Sequence, residues 1–414
     1  MRVLGIVTEY NPFHNGHLHH LTESKRLCSA DCTVCVMSGN FVQRGEPSLV
    51  DKWARTKMAL SSGIDLVLEL PVVYALSSAE YFAYAAVKVL DSTGSVNFLS
   101  FGSECGKMDD LKQIAELLTE EPEVFKTLLK DYLNTGLSFP AARQEALSRI
   151  FPEVGHILNS PNNILGIEYL KAIYKLNSKI NPFTIVRKGG SYRDTDTSSS
   201  VPGATAIRNR IKDLYDNKVF NKDILASMMP ASSANILMEE FAKGRGPIFT
   251  EHFESMMLSC LRNLNASDIL KAPDVSEGLE NRIKEASSSS GNMEELLSAI
   301  YTKRYPATRV KRALFHLLTG ISKQAFEEFN VNGGPQYIRV LGFNNTGREL
   351  LSIIKQKASL PVITKFADRN KQNSPLAGKM AEIESNTTNI YVIAFPDASQ
   401  RKAGQEFTTN LIRV

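Results

Sequence analysis

Arg2-Val3-Leu4-Gly5-Ile6-Val7-Thr8-Glu9-Tyr10-Asn11-Pro12-Phe13-His14-Asn15-Gly16-His17-Leu18-His19-His20 is the stretch that decides how the chain is read. Arg2–Val7 is a short β-rich run, Asn11-Pro12-Phe13 a loop, and Gly16–Arg26 has the pattern of a helix. Four of the seven histidines fall between His14 and His20. His14 and His17 are three apart, so on a helix their imidazoles project from one face. A helix that starts directly after a strand puts that face at the strand's carboxyl end. Open α/β sheets take their ligands there, and the helix's unpaired N–H groups attract phosphate. Gly16 leaves room for a flat base or a ribose against the backbone. Imidazoles that donate to phosphate oxygens stabilise the added charge of a five-coordinate transition state. The competing reading is a zinc site of His14, His17 and His20, but no carboxylate or cysteine pattern completes a known ligand set.

Outward from this stretch, strand and helix signals alternate. Strands are expected at Thr33–Met37, Asp65–Leu70, Val96–Phe101 and Phe183–Val186. Helices are expected at Lys52–Ser61, Ala79–Leu90, Met108 to about Leu133, Ile164–Leu176 and Ala204–Leu214. Strands this short, and apolar enough to be buried on both faces, alternating with helices imply a parallel sheet covered on both sides. Beyond Tyr215 helical periodicity dominates to about Phe329, and Asn332-Gly333-Gly334-Pro335 then breaks the chain. The last segment is mixed, with strands expected at Tyr337–Leu341, Pro361–Phe366 and Thr408–Ile412 and a helix at Arg348–Lys357. This gives three regions: an α/β domain over 1–214, a helical domain over 215–330, and a small mixed α/β segment over 331–414. Asp194–Ser200, rich in Ser, Thr and Asp, reads as a loop.

The 414 residues exceed one ordinary core, and 43% hydrophobic with 22% charged residues is the composition of a globular protein. No apolar run approaches the ~20 residues of a membrane span. The short run Arg2–Val7, followed at once by Glu9 and the histidines, lacks the pattern of a signal peptide. Five cysteines, an odd number, argue against a disulfide framework, so a reducing cytoplasm is the expected location. From Tyr301 onward there are 17 Lys and Arg against 8 Asp and Glu, whereas the whole chain carries only +4. A basic final third on a slightly acidic body points to a polyanionic partner. Cys28, Cys32 and Cys35 have the spacing of a radical-SAM iron–sulfur motif. They fall at the amino end of the second strand, away from where such sheets hold cofactors, so ordinary thiols and no cluster are expected.

His14-Asn15-Gly16-His17 resembles the HxGH signature of the HIGH-type nucleotidyltransferases, which join nucleoside triphosphates to nucleophiles at the α-phosphate. The longer stretch Val7–His17 is similar to one bacterial branch, the tRNA(Met) cytidine acetate ligases. Ser38-Gly39-Asn40-Phe41-Val42-Gln43-Arg44-Gly45-Glu46-Pro47, Phe101-Gly102-Ser103-Glu104 and Ser160–Leu170 agree in order, and the likeness continues around Arg309–Leu318. It covers most of the chain. It implies a Rossmann-like nucleotidyltransferase domain with a parallel sheet, followed by a mainly helical, basic C-terminal region. It also implies an enzyme that uses ATP and acetate to form acetyl-adenylate, then acetylates the wobble cytidine of elongator tRNA(Met).

On that resemblance His14 and His17 are the expected catalytic residues. ATP is expected along Val7, Thr8, Glu9, Tyr10, Asn11, Pro12, Phe13, His14, Asn15, Gly16, His17, Leu18, His19 and His20. Gly102 ends the fourth strand, where a side chain would obstruct a nucleotide, and Asn162 opens a helix where it either caps or reaches the ligand. Arg187 and Lys188, at the end of the fifth strand, would clamp triphosphate oxygens. Gly203-Ala204-Thr205-Ala206-Ile207-Arg208 resembles the second nucleotidyltransferase signature. Gly203 stands where relatives usually carry serine, leaving Thr205 and Arg208 as its contacts. Gln43–Pro47 either positions substrate or is a surface turn. Lys303, Arg304, Arg309, Lys311 and Arg312, beside Tyr305, pair cations with an aromatic as RNA-contacting segments do; an exposed polar helix face would look the same.

Mg²⁺ is expected to enter with ATP, without a dedicated protein cage. Two other functions fit the same residues. One is a cofactor-type adenylyl- or cytidylyltransferase, against which the basic extension counts. The other is a tRNA-binding protein with a degenerate nucleotide site, against which the intact His14, Gly16 and His17 count.

Overall fold

A computed structural model describes residues 1–137, 139–153, 155–187, 202–217, 219, 222–372 and 374–414. Lys188 and the loop Asp194–Ser200 lie outside the described residues. The strands are β1 (Val3–Thr8), β2 (Cys32–Ser38), β3 (Phe41–Val42), β4 (Glu46–Pro47), β5 (Leu66–Leu70), β6 (Phe98–Ser103), β7 (Asn181–Val186), β8 (Ile338–Phe343), β9 (Val362–Ile363) and β10 (Ile412–Arg413). The main sheet runs β10-β8-β5-β2-β1-β6-β7, with β9 on β8; β3 and β4 form a separate hairpin. Neighbours from β5 through β7 are parallel, as the alternating pattern requires.

Every residue of β2 and β5 is buried. Their side chains alternate between two apolar clusters, one on each face. Val34, Val36, Leu66 and Leu68 pack into the first, and Cys35, Met37 and Val67 into the second. Cys32 and Cys35 therefore point to opposite faces of the sheet, and all five cysteines are unbridged.

Five elements depart from the sequence pattern. The strand expected at Pro361–Phe366 is only Val362–Ile363, because a 3-10 turn begins at Phe366. The helix expected from Met108 to Leu133 is two, Met108–Glu120 and Glu123–Asn134, because Pro122 supplies no N–H and Glu121 turns left-handed at φ 44°. The C-terminal segment does not stand apart: β8 runs antiparallel to β5, pairing Leu66 with Phe343, and so covers an apolar strand that would otherwise be an open edge. The strand expected at Thr408–Ile412 is only Ile412–Arg413, since Gln405–Thr408 is helical. Pro375–Ile393 is a 19-residue helix through a Ser- and Thr-rich stretch; burial of Ser385, Thr387, Thr388 and Tyr391 overrides weak local propensity.

That helix and the short helix Gln405–Thr408 contribute Glu384 and Glu406 to a buried ionic cluster. The Lys52 ammonium lies 2.5 Å from Glu69 Oε1 on β5 and 3.5 Å from Glu384 Oε1, and also donates to Glu406. Glu406 Oε2 in turn lies 2.9 Å from Arg339 on β8. Burial and the neighbouring Glu69 raise the Glu384 carboxyl well above its ordinary range. Burial also pushes Glu406 upward, but Lys52 and Arg339 more than offset it and hold that carboxyl low. Among the described residues no helix is long and apolar enough to cross a membrane.

Candidate active site

The carboxyl ends of the parallel strands open into one cavity. Val7, Thr8, Glu9, Tyr10, Asn11, His14, Gly16, His17, His19 and His20 line it, with Gly102, Asn162, Arg187, Thr205 and Arg208. Pro12, Phe13, Asn15 and Leu18 are not in its wall. Phe13 is wholly buried behind it against Tyr10, at 4.6 Å between ring centroids. Asn15 turns away, its backbone and side-chain amides donating to the carbonyls of Met228 and Ser227.

His14 is the residue before the helix rather than part of it. Extended at φ −132°, it caps Asn15–Cys28 with its ring, Nδ1 accepting from Gly16 N at 3.0 Å. His17 Nδ1 accepts from the His14 amide at 3.3 Å, closing a capping box. The two rings stack at 3.7 Å, and Tyr10 packs edge-on against His17. Both Nδ1 atoms are acceptors, so each neutral imidazole carries its proton on Nε2, the edge left to donate to a ligand. His20 turns aside, its Nε2 bonding Ser100 Oγ at 3.1 Å. The Nδ1 atoms of His14 and His17 are thus spent on helix capping and the Nε2 of His20 on Ser100, and the three rings do not converge on one ion.

Burial, reinforced by Arg187 and Arg208, lowers the His14 pKa to about 3. Burial, then Arg187 and His19, brings His20 to about 4. Burial and the proximity of His14 drive His17 well below its usual value. These histidines stay neutral in the fold but protonate near 6.5 once unfolded. The unfolded chain therefore binds more protons below about pH 6.5, and stability drains away as pH falls through that window. Without nucleotide, the unfolding free energy in urea should drop by roughly 3 kcal/mol between pH 6.5 and 5.5 from the three together. His20→Asn should remove about a third of that slope; an identical slope in the variant would show that His20 is not held neutral.

Cations and amides complete the wall. A Cβ on Gly102 would lie 3.1 Å from Arg187 Cγ, so this glycine lets the Arg187 stem cross β6. Arg187 donates to Asn162 Oδ1 at 3.1 Å. Asn162 does not cap its own helix: its amide donates to Glu104 at 2.6 Å. Glu104 sits over the first turn of Pro161–Lys175, accepting from the Asn162 and Asn163 amides. Arg208 donates to Asn11 O at 3.0 Å and to Glu46 at 3.2 Å, and lies 3.4 Å from Thr205 Oγ1.

Sequence reasoning assigned no role to Glu104, Leu165 or Tyr169, and left Gln43–Pro47 open between substrate and surface. Gln43 and Arg44 line the cavity. Glu9 accepts from the Gln43 amide at 2.9 Å, and burial raises its carboxyl. Gly45 has φ +71°, and a Cβ there would lie 2.4 Å from Arg312 N, so the hairpin rests directly on the helix Ala307–Thr319. The available signal was two charges flanking a glycine.

The five basic candidates divide. Lys303 and Arg304 are exposed. Arg309 donates to Asp274 O, Ser276 and Glu277, and Arg312 makes two bonds to the Asp274 carboxylate. Lys311 donates to Glu46 at 2.6 Å.

Fold and site together define a nucleotidyltransferase. The HIGH Nucleotidyl Transferase family model matches residues 1–406. The tRNA(Met) cytidine acetate ligase of Acetivibrio thermocellus is 48% identical, and that of Thermoanaerobacter sp. 47%, each over the whole of both chains. The apo crystal structure of Thermotoga maritima TmcAL superposes with a TM-score of 0.95 at 39% identity, and the same protein bound with alpha-thio ATP at 0.92 and 38%, both covering all of each chain. The chain belongs to the HIGH nucleotidyl transferases and, among them, to the tRNA(Met) cytidine acetate ligases.

Proposed function

We propose that this chain binds ATP at the β1 end of its sheet, activates acetate as acetyl-adenylate, and transfers the acetyl group to N4 of the wobble cytidine of elongator tRNA(Met). The observation that carries the reading is the stacked His14–His17 pair, Nε2 edges available, at a helix start flanked by Arg187 and Arg208. The relative bound to alpha-thio ATP supports nucleotide binding in the same fold.

An acetate oxygen attacks the α-phosphorus and pyrophosphate leaves. The cytidine amine then attacks the acetyl carbon of the mixed anhydride, and AMP departs. No protein nucleophile takes part. The imidazoles donate to phosphate oxygens as charge builds, and the cations hold the triphosphate in line. Mg²⁺ arriving on the triphosphate would neutralise part of its charge. Glu9 is the one carboxylate among the described lining residues, which suits an ion carried by phosphate rather than by a protein cage. Lys303 and Arg304, exposed beside Tyr305, suit an RNA backbone; Arg309 and Arg312, held by Asp274, shape that surface rather than reach from it.

Mass spectrometry of nucleosides from tRNA incubated with the protein, ATP and labelled acetate should show labelled N4-acetylcytidine. Exchange of pyrophosphate into ATP should require acetate. Exchange driven instead by a phosphate monoester would replace this reading with a cofactor-type transferase.

A further inference from the structure

The cavity straddles the carboxyl edge of the sheet, and its two sides differ in chemistry. On β1, Leu4 and Ile6 face the apolar cluster that also holds Leu21 and Cys28 of the histidine helix. Val3 and Val7 face the opposite cluster, with Phe82, Phe101 and Tyr169. Alternation past Thr8, the last residue of β1, carries the Glu9 side chain to the side of Val7. Val7, Glu9, Phe82, Phe101, Leu165 and Tyr169 all line the cavity. The histidine pair thus stands over one face of the sheet, and a carboxylate beside an aromatic wall over the other.

Both parts of that second side are held in place. The rings of Phe101 and Tyr169 lie 5.7 Å apart. Gly166 brings its helix against Phe101, where a Cβ would lie 2.6 Å from the ring. The Glu9 carboxylate accepts from the Gln43 amide at 2.9 Å, and the Glu9 carbonyl accepts from the buried Arg55 at 2.6 Å. Arg55 also holds the Ser38 and Gly39 carbonyls, tying Glu9 to the end of β2. An aromatic slot with one carboxylate recognises a flat heteroaromatic ring that carries an exocyclic amine. Burial raises the Glu9 carboxyl, which makes its anion a stronger base than a solvated carboxylate.

Cytosine and adenine both present such an amine. That of cytosine must react, and its lone pair is delocalised into the ring until an N–H proton leaves. Adenine's amine is a spectator, for which neutral backbone groups suffice. A buried carboxylate suits the base that is acetylated.

We infer that Glu9 and this aromatic wall form the pocket for the cytosine, the carboxylate accepting a hydrogen bond from N4 and then the N4 proton as the acetyl group is transferred. The inference rests on the acetyl-transferring reading proposed above. N4 bonds to the acetyl carbon, and the bond from that carbon to the phosphate oxygen breaks, its electron pair leaving on AMP. The proton passes from N4 to Glu9 and then to water.

The test compares two half-reactions of the full chain. One is acetate-dependent pyrophosphate exchange; the other is single-turnover acetyl transfer to tRNA by protein preloaded with ATP and labelled acetate. Glu9→Gln should slow transfer roughly 10²- to 10⁴-fold, and by at least roughly 30-fold more than it slows exchange. Wild-type transfer should rise with pH to a plateau as Glu9 loses its proton, a limb the variant should lack. Glu9→Asp should recover part of the rate. Transfer slowed no more than exchange overturns the assignment, and a matching rise in the ATP KM would give the pocket to adenine. Recognition has its own readout, because uridine at the wobble position puts a carbonyl where the amine stands. The wild type should bind the cytidine form of the tRNA roughly 10-fold more tightly, and Glu9→Gln, whose amide can donate to that carbonyl, should narrow the gap to about twofold. Equal wild-type affinities for the two forms overturn the assignment. Absence of acetate-dependent exchange in the wild type would instead refute the proposed function itself.

Discussion

His17→Ala should reduce acetate-dependent exchange of pyrophosphate into ATP by roughly 10²- to 10³-fold while changing the affinity for ATP only a few-fold. The expectation follows from where the ring's hydrogen bonds go. Nδ1 is taken by the His14 amide, which fixes the proton on Nε2. Burial keeps the ring uncharged. A neutral donor gives modest binding to a ground-state triphosphate and more as charge accumulates on the oxygens around phosphorus, so kcat suffers more than KM. Alanine also removes the ring stacked on His14, so part of the loss reflects a His14 side chain free to turn. His17→Gln, whose amide can still donate, should be less impaired. Nucleotide titration of the free enzyme separates the outcomes. ATP binding lost in proportion to rate would make His17 a ground-state ligand.

The second large effect concerns stability. Lys52→Met should destabilise the fold by about 3–5 kcal/mol, because it leaves Glu69, Glu384 and Glu406 without the buried ammonium they share. Glu384→Gln should be close to neutral in acid, where the carboxyl is protonated in both states, because burial and Glu69 raise that carboxyl in the fold. The sign can be checked by titration. A carboxyl with a raised folded pKa contributes stability below its unfolded pKa and loses it as pH rises, so Glu384→Gln should gain on the wild type toward alkaline pH. Urea unfolding across pH 5–9 measures both variants. A Lys52→Met chain as stable as wild type would mean that the cluster adjusts its protonation to match its charge.

Much of this architecture could be read from residue order. β2 and β5 are buried on both faces and β1 nearly so, and they form largely apolar runs between helices, the plainest signal a parallel sheet leaves; β7, at the sheet edge, is half-exposed. The Val7–His20 stretch concentrates its cavity residues in one strand, loop and helix start, where spacing alone constrains geometry. The pairing of β8 with β5 is of another kind. Both strands look like strands, but which edge a late strand joins is decided by the helices packed between them. Glu104 over the helix at Pro161, and Glu46 between Arg208 and Lys311, join residues far apart in the chain, so no local pattern marks them. The histidine rings were expected side by side on a helix face. They do lie side by side, but through a cap, because His14's ring takes the place of the missing turn.

The late arrival of β8 bears on how the protein is made. Synthesis delivers β1, β2 and β5 early, yet the outer rim of β5 waits for a partner that leaves the ribosome only after the whole helical region. Until then its unpaired amides and carbonyls can template a neighbouring nascent chain. Lys52 and Glu69 likewise wait for Glu384 and Glu406. Lesions near the end of the gene should therefore fail as aggregation of the sheet, not as loss of a peripheral appendage.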